Sequence, residues 1–193
     1  MTISRYMDAK TKSKYQNAIL YFAKNLTPHQ LGKTKLAKLL YYLDFISYRD
    51  REKSVTGTLY YKQEYGPLAK DLTEMIGDLV AEKKLEVNRV VVGNGEKQKD
   101  QFKTLKEPDE MVFDEEEQTL LRKLINKYAD VPTEVMVAKS HLEAPWVKAQ
   151  NGASLDYKYA FDVEDFDSEI EKESKEEDQK IRDAVEKELT TNC

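Results

Sequence analysis

The sequence predicts an α+β fold, predominantly helical: a single compact domain with a short strand and a β-hairpin in a winged-helix-like arrangement, followed by an acidic C-terminal tail. Three observations predict it. Apolar residues recur at helical spacing in several segments. Two β-prone runs flank a Gly/Asn-rich connection. The charge also changes sign near residue 160: of 36 acids and 31 bases, 13 and 5 fall in 161–193, leaving 23 and 26 for 1–160. The net charge of −5 therefore hides a slightly basic body and a strongly acidic tail. The expected organisation is a domain over 1–160, with the hairpin inserted at about 84–106, and a tail over 161–193, helical or disordered until bound. Within the tail, Ile181, Val185 and Leu189 form a weak stripe.

The first helix is expected over 12–26, where Tyr15, Ile19, Phe22 and Ala23 share a face. Pro28 and Gly32 end it, and Thr34 is placed to cap a second helix from about Lys35 to Tyr48. Its inner stripe is Leu36, Leu39, Leu40, Leu43 and Ile46. The opposite side carries Tyr41, Phe45 and Tyr48, so the helix is covered on two sides or presents an aromatic face to a partner. Residues 57–65, "GTLYYKQEY", read as a strand. Pro67 is expected to open a third helix to about Glu82, with Leu68, Leu72, Met75, Ile76 and Leu79 inward and Lys70, Asp71, Glu74 and Asp78 outward.

The runs "KLEVNRVVV" and "QFKTLK" around "GNGEKQKD" make the hairpin. Helix, strand, helix, hairpin is the order of a winged helix, with Lys97, Lys99, Lys103 and Lys106 along the wing. Asp114 and Glu117 form a capping box for a helix that buries Leu120, Leu121, Leu124, Ile125 and Tyr128. Thr133 caps a shorter helix ending in "SHLEAPW", where Pro145 forces a break. Trp146 is expected to insert between the late helices and the 35–48 helix, with His141 hydrogen-bonding a freed carbonyl or an acid.

Catalysis has little to work with. The chain holds two histidines, His29 and His141, and one cysteine, Cys193, so neither a disulfide framework nor a cysteine metal site is expected. Ser140 and His141 are adjacent and point about 100° apart on a helix, so they do not form a dyad. The nucleophile-elbow, phosphate-cradling and H-E-x-x-H patterns are absent. Asp44, inside "LLYYLDFI", is the one acid in an apolar stretch. It reads as a carboxylate held by a tyrosine or a lysine, with a buried general base as the sharper alternative. No enzyme activity, catalytic residue, metal or cofactor is expected. For nucleic acid, the helix in the recognition position presents Asp71, Glu74 and Asp78, which repel phosphate. The wing lysines Lys97, Lys99, Lys103 and Lys106, with Lys10, Lys12 and Lys14, are left as candidates for weak backbone contact. With no apolar run of membrane-spanning length and no apolar leader in "MTISRYMDAKTKSKY", a cytoplasmic protein is expected.

The segment "KLAKLLYYLDFISYRDREKSVTGTLYYKQEYGPLAKDL" resembles the first half of the Panacea domain, the SocA-like antitoxin or phage-associated GepA-like family. The residues that carry the resemblance are Lys38, Leu39, Tyr41, Asp44, Gly57, Tyr60, Tyr65, Gly66 and Pro67. In the second half, His141 and Trp146 fill an H-x-x-x-x-W signature. The resemblance covers about residues 35–150. It implies a non-enzymatic antitoxin of a toxin–antitoxin system that neutralises a co-encoded toxin by direct binding. The contact surfaces to consider are the Tyr41/Phe45/Tyr48 face, the wing and the tail. The alternatives are a winged-helix transcriptional regulator that binds DNA, or a phage-associated interaction protein.

Overall fold

The computed structural model describes residues 7–92 and 97–163. Helix α1, Ala9–Asn25, starts earlier than its apolar face because Asp8 caps it, accepting from the Thr11 amide at 2.8 Å. Tyr15, Ile19, Phe22 and Ala23 are buried as their spacing predicts. Helix α2, Lys33–Arg51, begins at Gly32 rather than at a threonine cap, so Thr34 lies inside its first turn.

Every residue of α2 from Lys35 to Ser47 is buried. A helix with apolar side chains on all sides belongs at the centre of a core, not at its edge. Around α2 pack α1, helix α4 (Glu115–Tyr128), helix α5 (Thr133–Leu142), strand β2 (Gly66–Ala69) and a 3-10 turn at Tyr157–Asp162. The first of the two readings of the Tyr41/Phe45/Tyr48 face therefore holds: Tyr41 and Phe45 have no exposed surface and cannot meet a partner. Phe45 stacks on Tyr157 with centroids 4.4 Å apart, and Tyr48 lies 5.0 Å from the same ring. The chain after Gly152 supplies that cover by adding to the edge of strand β1 (Tyr60–Gln63): the Leu155 amide donates to the Tyr60 carbonyl at 2.7 Å.

Strands β1 and β2 form an antiparallel hairpin, with Gln63 opposite Gly66 and Lys62 opposite Pro67. Pro67 is therefore a strand residue and not the first residue of a helix; α3 spans only Leu72–Ala81. The tight turn at Gly66, at φ +85°, sends the chain back along β1 before any helix can start. In α3, Leu72, Met75 and Leu79 are buried, while Leu68 and Ile76 are only half-buried.

Strands β3 (Leu85–Val92) and β4 (Lys97–Thr104) make the expected hairpin as a second, separate sheet. β4 takes "KQKD" out of the connection, because Asp100 pairs across the strands with Arg89 at 3.0 Å. The winged-helix likeness thus stops at element order, since β1 pairs with β2 and stays apart from this hairpin. The capping box of α4 is present in both halves: Asp114 accepts from the Glu117 amide at 2.9 Å, and Glu117 accepts from the Asp114 amide at 3.0 Å. Leu121, Leu124 and Tyr128 are buried, while Leu120 and Ile125 are half-buried. Glu117 also holds the buried Lys14 at 2.5 Å, tying α4 to α1. Thr133 is the first residue of α5, and Pro132 precedes it in the cap position. The acidic tail beyond Val163, with its Ile181/Val185/Leu189 stripe, lies outside the described residues.

Candidate functional site

Most of the resemblance residues gather in two buried polar clusters on α2, while Tyr65 is exposed and His141 and Trp146 are half-buried. Asp44 is the hub of the first and has no exposed surface. It accepts from the amides of Val55 (2.8 Å) and Thr56 (2.7 Å), the Thr56 hydroxyl (2.5 Å) and the Tyr60 hydroxyl (2.7 Å). Burial pushes its pKa up to about 6, against the lowering by these four donors. A carboxylate whose oxygens are filled this way anchors the 52–58 loop and β1 to α2; it has no free lone pair aimed at a substrate. Gly57 continues that loop, against the Thr11 side chain of α1.

Lys38 is the hub of the second cluster. Its ammonium is buried and donates to the Pro67 carbonyl at 2.8 Å. Burial pulls its pKa down to about 7, while the charge of Glu143 opposes the shift. One residue along the same helix, Leu39 sits in the core. The Tyr41 hydroxyl donates to Glu143 Oε2 at 2.7 Å; burial, followed by the Glu143 charge, holds the phenol well above its usual range. Gly66 closes over this group. A Cβ there would lie 2.6 Å from Ser140 Oγ and 2.8 Å from Lys38 Nζ. Only glycine lets the β1–β2 turn approach α2 and α5 so closely. Ser140 donates to the Val137 carbonyl at 2.8 Å and not to His141, so the two indeed form no dyad.

"SHLEAPW" is the end of α5, a break at Glu143, and a short restart in helix α6, Ala144–Lys148, with Pro145 in its first turn. Trp146 is not wedged into the core as expected. It is half-buried at the rim, with the His141 ring stacked at 4.2 Å and the Lys62 ammonium 3.8 Å from its centroid. The restart of the helix at Ala144 sets the indole against Lys62 of β1, with its Nε1 buried. His141 stacks instead of bonding a carbonyl or an acid; burial and the charges of Lys38 and Lys62 lower its pKa. Sequence reasoning missed Glu143, although it is the acid enclosed by "SHLEAPW". It also missed Lys62 and Tyr157, for which no local signal exists.

Tyr65 stands apart from these pinned residues, at the tip of the β1–β2 turn and 64% exposed. It flanks a cleft of about 290 Å³ over Lys38 and Pro67 and a groove of about 950 Å³ on the other side. The groove runs between the first turn of α2, α5 and its His141, and β4. Among the wing lysines whose side chains are described, Lys99 lines this groove. Lys103 is exposed 4.0 Å from Glu86, and Lys106 is exposed beyond β4. The Lys97 side chain lies outside the described residues. Lys12 and Lys14 are held by Asp78 and Glu117. Among the described residues no three His, Cys, Asp or Glu side chains are grouped to hold a metal, and no helix is long and apolar enough to cross a membrane.

Comparison with curated proteins and with solved structures finds no match. A family model described as "Antitoxin SocA-like, Panacea domain" matches residues 36–147, more than half of the chain. That interval runs from the α2 hub residues through α6 and contains every resemblance residue, so the chain belongs to the SocA-like antitoxin family with the Panacea domain.

Proposed function

We propose that this chain is a non-enzymatic antitoxin that neutralises a co-encoded toxin by binding it directly, through the face around Tyr65. The observation that carries the reading is Tyr65 itself. A resemblance residue with no hydrogen bond or ring contact among the described residues stands exposed beside two clefts, while Lys38, Tyr41, Asp44, Tyr60, Gly66 and Pro67 are engaged in building the scaffold. An exposed tyrosine on a rigid turn is the kind of side chain that dominates protein interfaces. Asp44 is filled by four internal donors, and Ser140 donates to the Val137 carbonyl.

Co-expression with the neighbouring gene tests the proposal. Growth rescue and co-purification are expected for the wild type, and Tyr65→Ala is expected to lose both while melting as the wild type does. Absence of rescue and of co-purification with the wild type would sink it. The alternative regulator is weakened by the commitment of Lys12 and Lys14 to carboxylates and by the acidic residues of α3.

A further inference from the structure

The β3–β4 sheet has one covered edge and one open edge. β4 packs against α1 and α2. Along that side Lys99 donates to the His29 carbonyl at 2.7 Å, and the Asp100 carbonyl lies 3.6 Å from where a Gly32 Cβ would sit. β3 has β4 as its one ladder partner among the described residues, and it packs against α3, the helix just before it in the chain. The Leu105 amide donates to the Lys84 carbonyl at 2.9 Å, and Leu85 stands opposite Thr104. By the alternation of an antiparallel ladder, the main-chain groups of Glu86, Asn88 and Val90 therefore point towards β4. Those of Val87, Arg89 and Val91 point away from it.

An open edge offers a row of N–H and C=O groups that another strand can complete, and proteins that stay monomeric blunt such edges with proline, lysine or a bulge. β3 has none of these: it reads LEVNRVVV, and its 8 residues pair with β4 without interruption. Asn88, Arg89 and Val91 are exposed, Val91 by 62%. A two-stranded sheet is marginal in water, and further strands stabilise it.

The geometry favours a second copy of this chain as the occupant. A foreign strand added to β3 would carry a new open edge of its own. Two β3 strands paired about a two-fold axis give the order β4–β3–β3–β4, in which each outer edge rests on its own body and none is left open. Such a pair is antiparallel, and its central residue meets its own copy. Centring on Arg89 would set two guanidinium groups face to face. Centring on Val87 would run the exposed Val91 past the start of the other β3. Centring on Asn88 sets amide on amide and Val91 opposite Leu85, while Arg89, diagonal to its copy, keeps Asp100 as counter-ion at 3.0 Å.

We infer that this chain forms a two-fold homodimer through the open edge of β3, antiparallel to β3 of a second copy and centred on Asn88. Val87 and Arg89 then exchange both main-chain hydrogen bonds with Arg89 and Val87 of the second copy. The interface is independent of the antitoxin reading, and its test involves no toxin.

Light scattering during size exclusion of the full chain, over a dilution series, reads the assembly state. A dimer that dissociates on dilution is expected. Arg89→Pro removes an amide that makes no bond to β4, so the variant should keep the hairpin and run as a monomer. Arg89→Ala loses the Asp100 pair but keeps the amide, and should stay dimeric. In a Cys193→Ser background, Asn88→Cys should oxidise to a disulfide-linked dimer, because facing residues of a non-hydrogen-bonded pair lie ~4.5 Å apart between Cα atoms. Glu86→Cys, which faces Val90 of the second copy, should not. A monomer at every concentration, a dimer that persists in folded Arg89→Pro, or equal cross-linking of the two cysteine variants would each overturn the inference. Should Arg89→Pro unfold, the two cysteine variants still decide.

Discussion

Gly66 is where the packing of the signature cluster is most exposed to test. Gly66→Ala places a methyl 2.6 Å from Ser140 Oγ and 2.8 Å from Lys38 Cε and Nζ, at a backbone φ of +85°. The backbone alone costs an L residue about 1–2 kcal/mol in this region. The methyl must also displace the Lys38 ammonium from the Pro67 carbonyl, 2.8 Å away, and losing a hydrogen bond to a buried charge costs about 1.5–3 kcal/mol. The sum is about 2.5–5 kcal/mol, a large share of the ~5–15 kcal/mol a domain possesses. Gly152→Ala is the matched control: its φ is +74° but nothing lies within 4 Å of its Cβ position, so only the backbone part applies. The gain from stiffening the unfolded chain is common to both and cancels. Urea unfolding followed by circular dichroism reads the difference. With a slope of ~2 kcal/mol/M, Gly66→Ala should lower the midpoint by roughly 1–2.5 M and Gly152→Ala by roughly 0.5–1 M. Two variants within ~0.5 kcal/mol of each other would refute the close-packed cluster.

Three further outcomes follow from the same geometry. The Lys38 ammonium titrates near 7 when folded and near its ordinary value of ~10.4 when unfolded, so between those values the unfolded chain binds a proton that the folded chain does not. Stability should therefore rise with pH from about 7 towards 10, and Lys38→Met, measured by urea midpoints across that range, should lack this rise. Trp146 is the only tryptophan, so its fluorescence reports the rim stack directly. Trp146→Ala should cost about 1–3 kcal/mol, the value of a stack and a cation–π contact, below the ~3–5 kcal/mol of an emptied core site. The fluorescence should titrate with a midpoint below 6.5 as His141 protonates, and stability should fall as pH drops through that window. Asp44→Asn keeps the shape of the carboxylate but gives the Val55 and Thr56 amides one acceptor oxygen in place of a charge; it should cost about 1–3 kcal/mol by thermal melting. Partner binding should survive in the folded fraction; if binding vanished with the fold unchanged, Asp44 would belong to the functional surface.

Much of the architecture was legible because it depends on neighbours in sequence. Helical periodicity marks α1, α2 and α4, the Asp114/Glu117 capping box marks where α4 begins, and the two β-prone runs mark the hairpin. Each of these signals operates over a few residues, where sterics and local hydrogen bonds decide. Where local rules compete, the reading failed: Pro67 suits a helix start in isolation, yet the Gly66 turn and the pairing of β1 with β2 claim it for a strand.

The site was legible as a set of residues and not as a geometry. The resemblance residues could be picked out along the chain, but the contacts that give them meaning cross long separations, as from Tyr41 to Glu143, 102 residues on. The aromatic surplus of α2 looked available for a partner until the turn at Tyr157–Asp162 returned to cover it. Trp146 looked like core until the break at Glu143 turned it to the rim. By itself the sequence determined the helices, the hairpin, the family and the absence of familiar catalytic patterns, all of which are local or additive properties of residues. The tertiary structure alone decided which polar groups are consumed internally and which aromatic stays exposed at Tyr65. Burial and electrostatic pairing are set by neighbours in space, and segments far apart in the chain supply them.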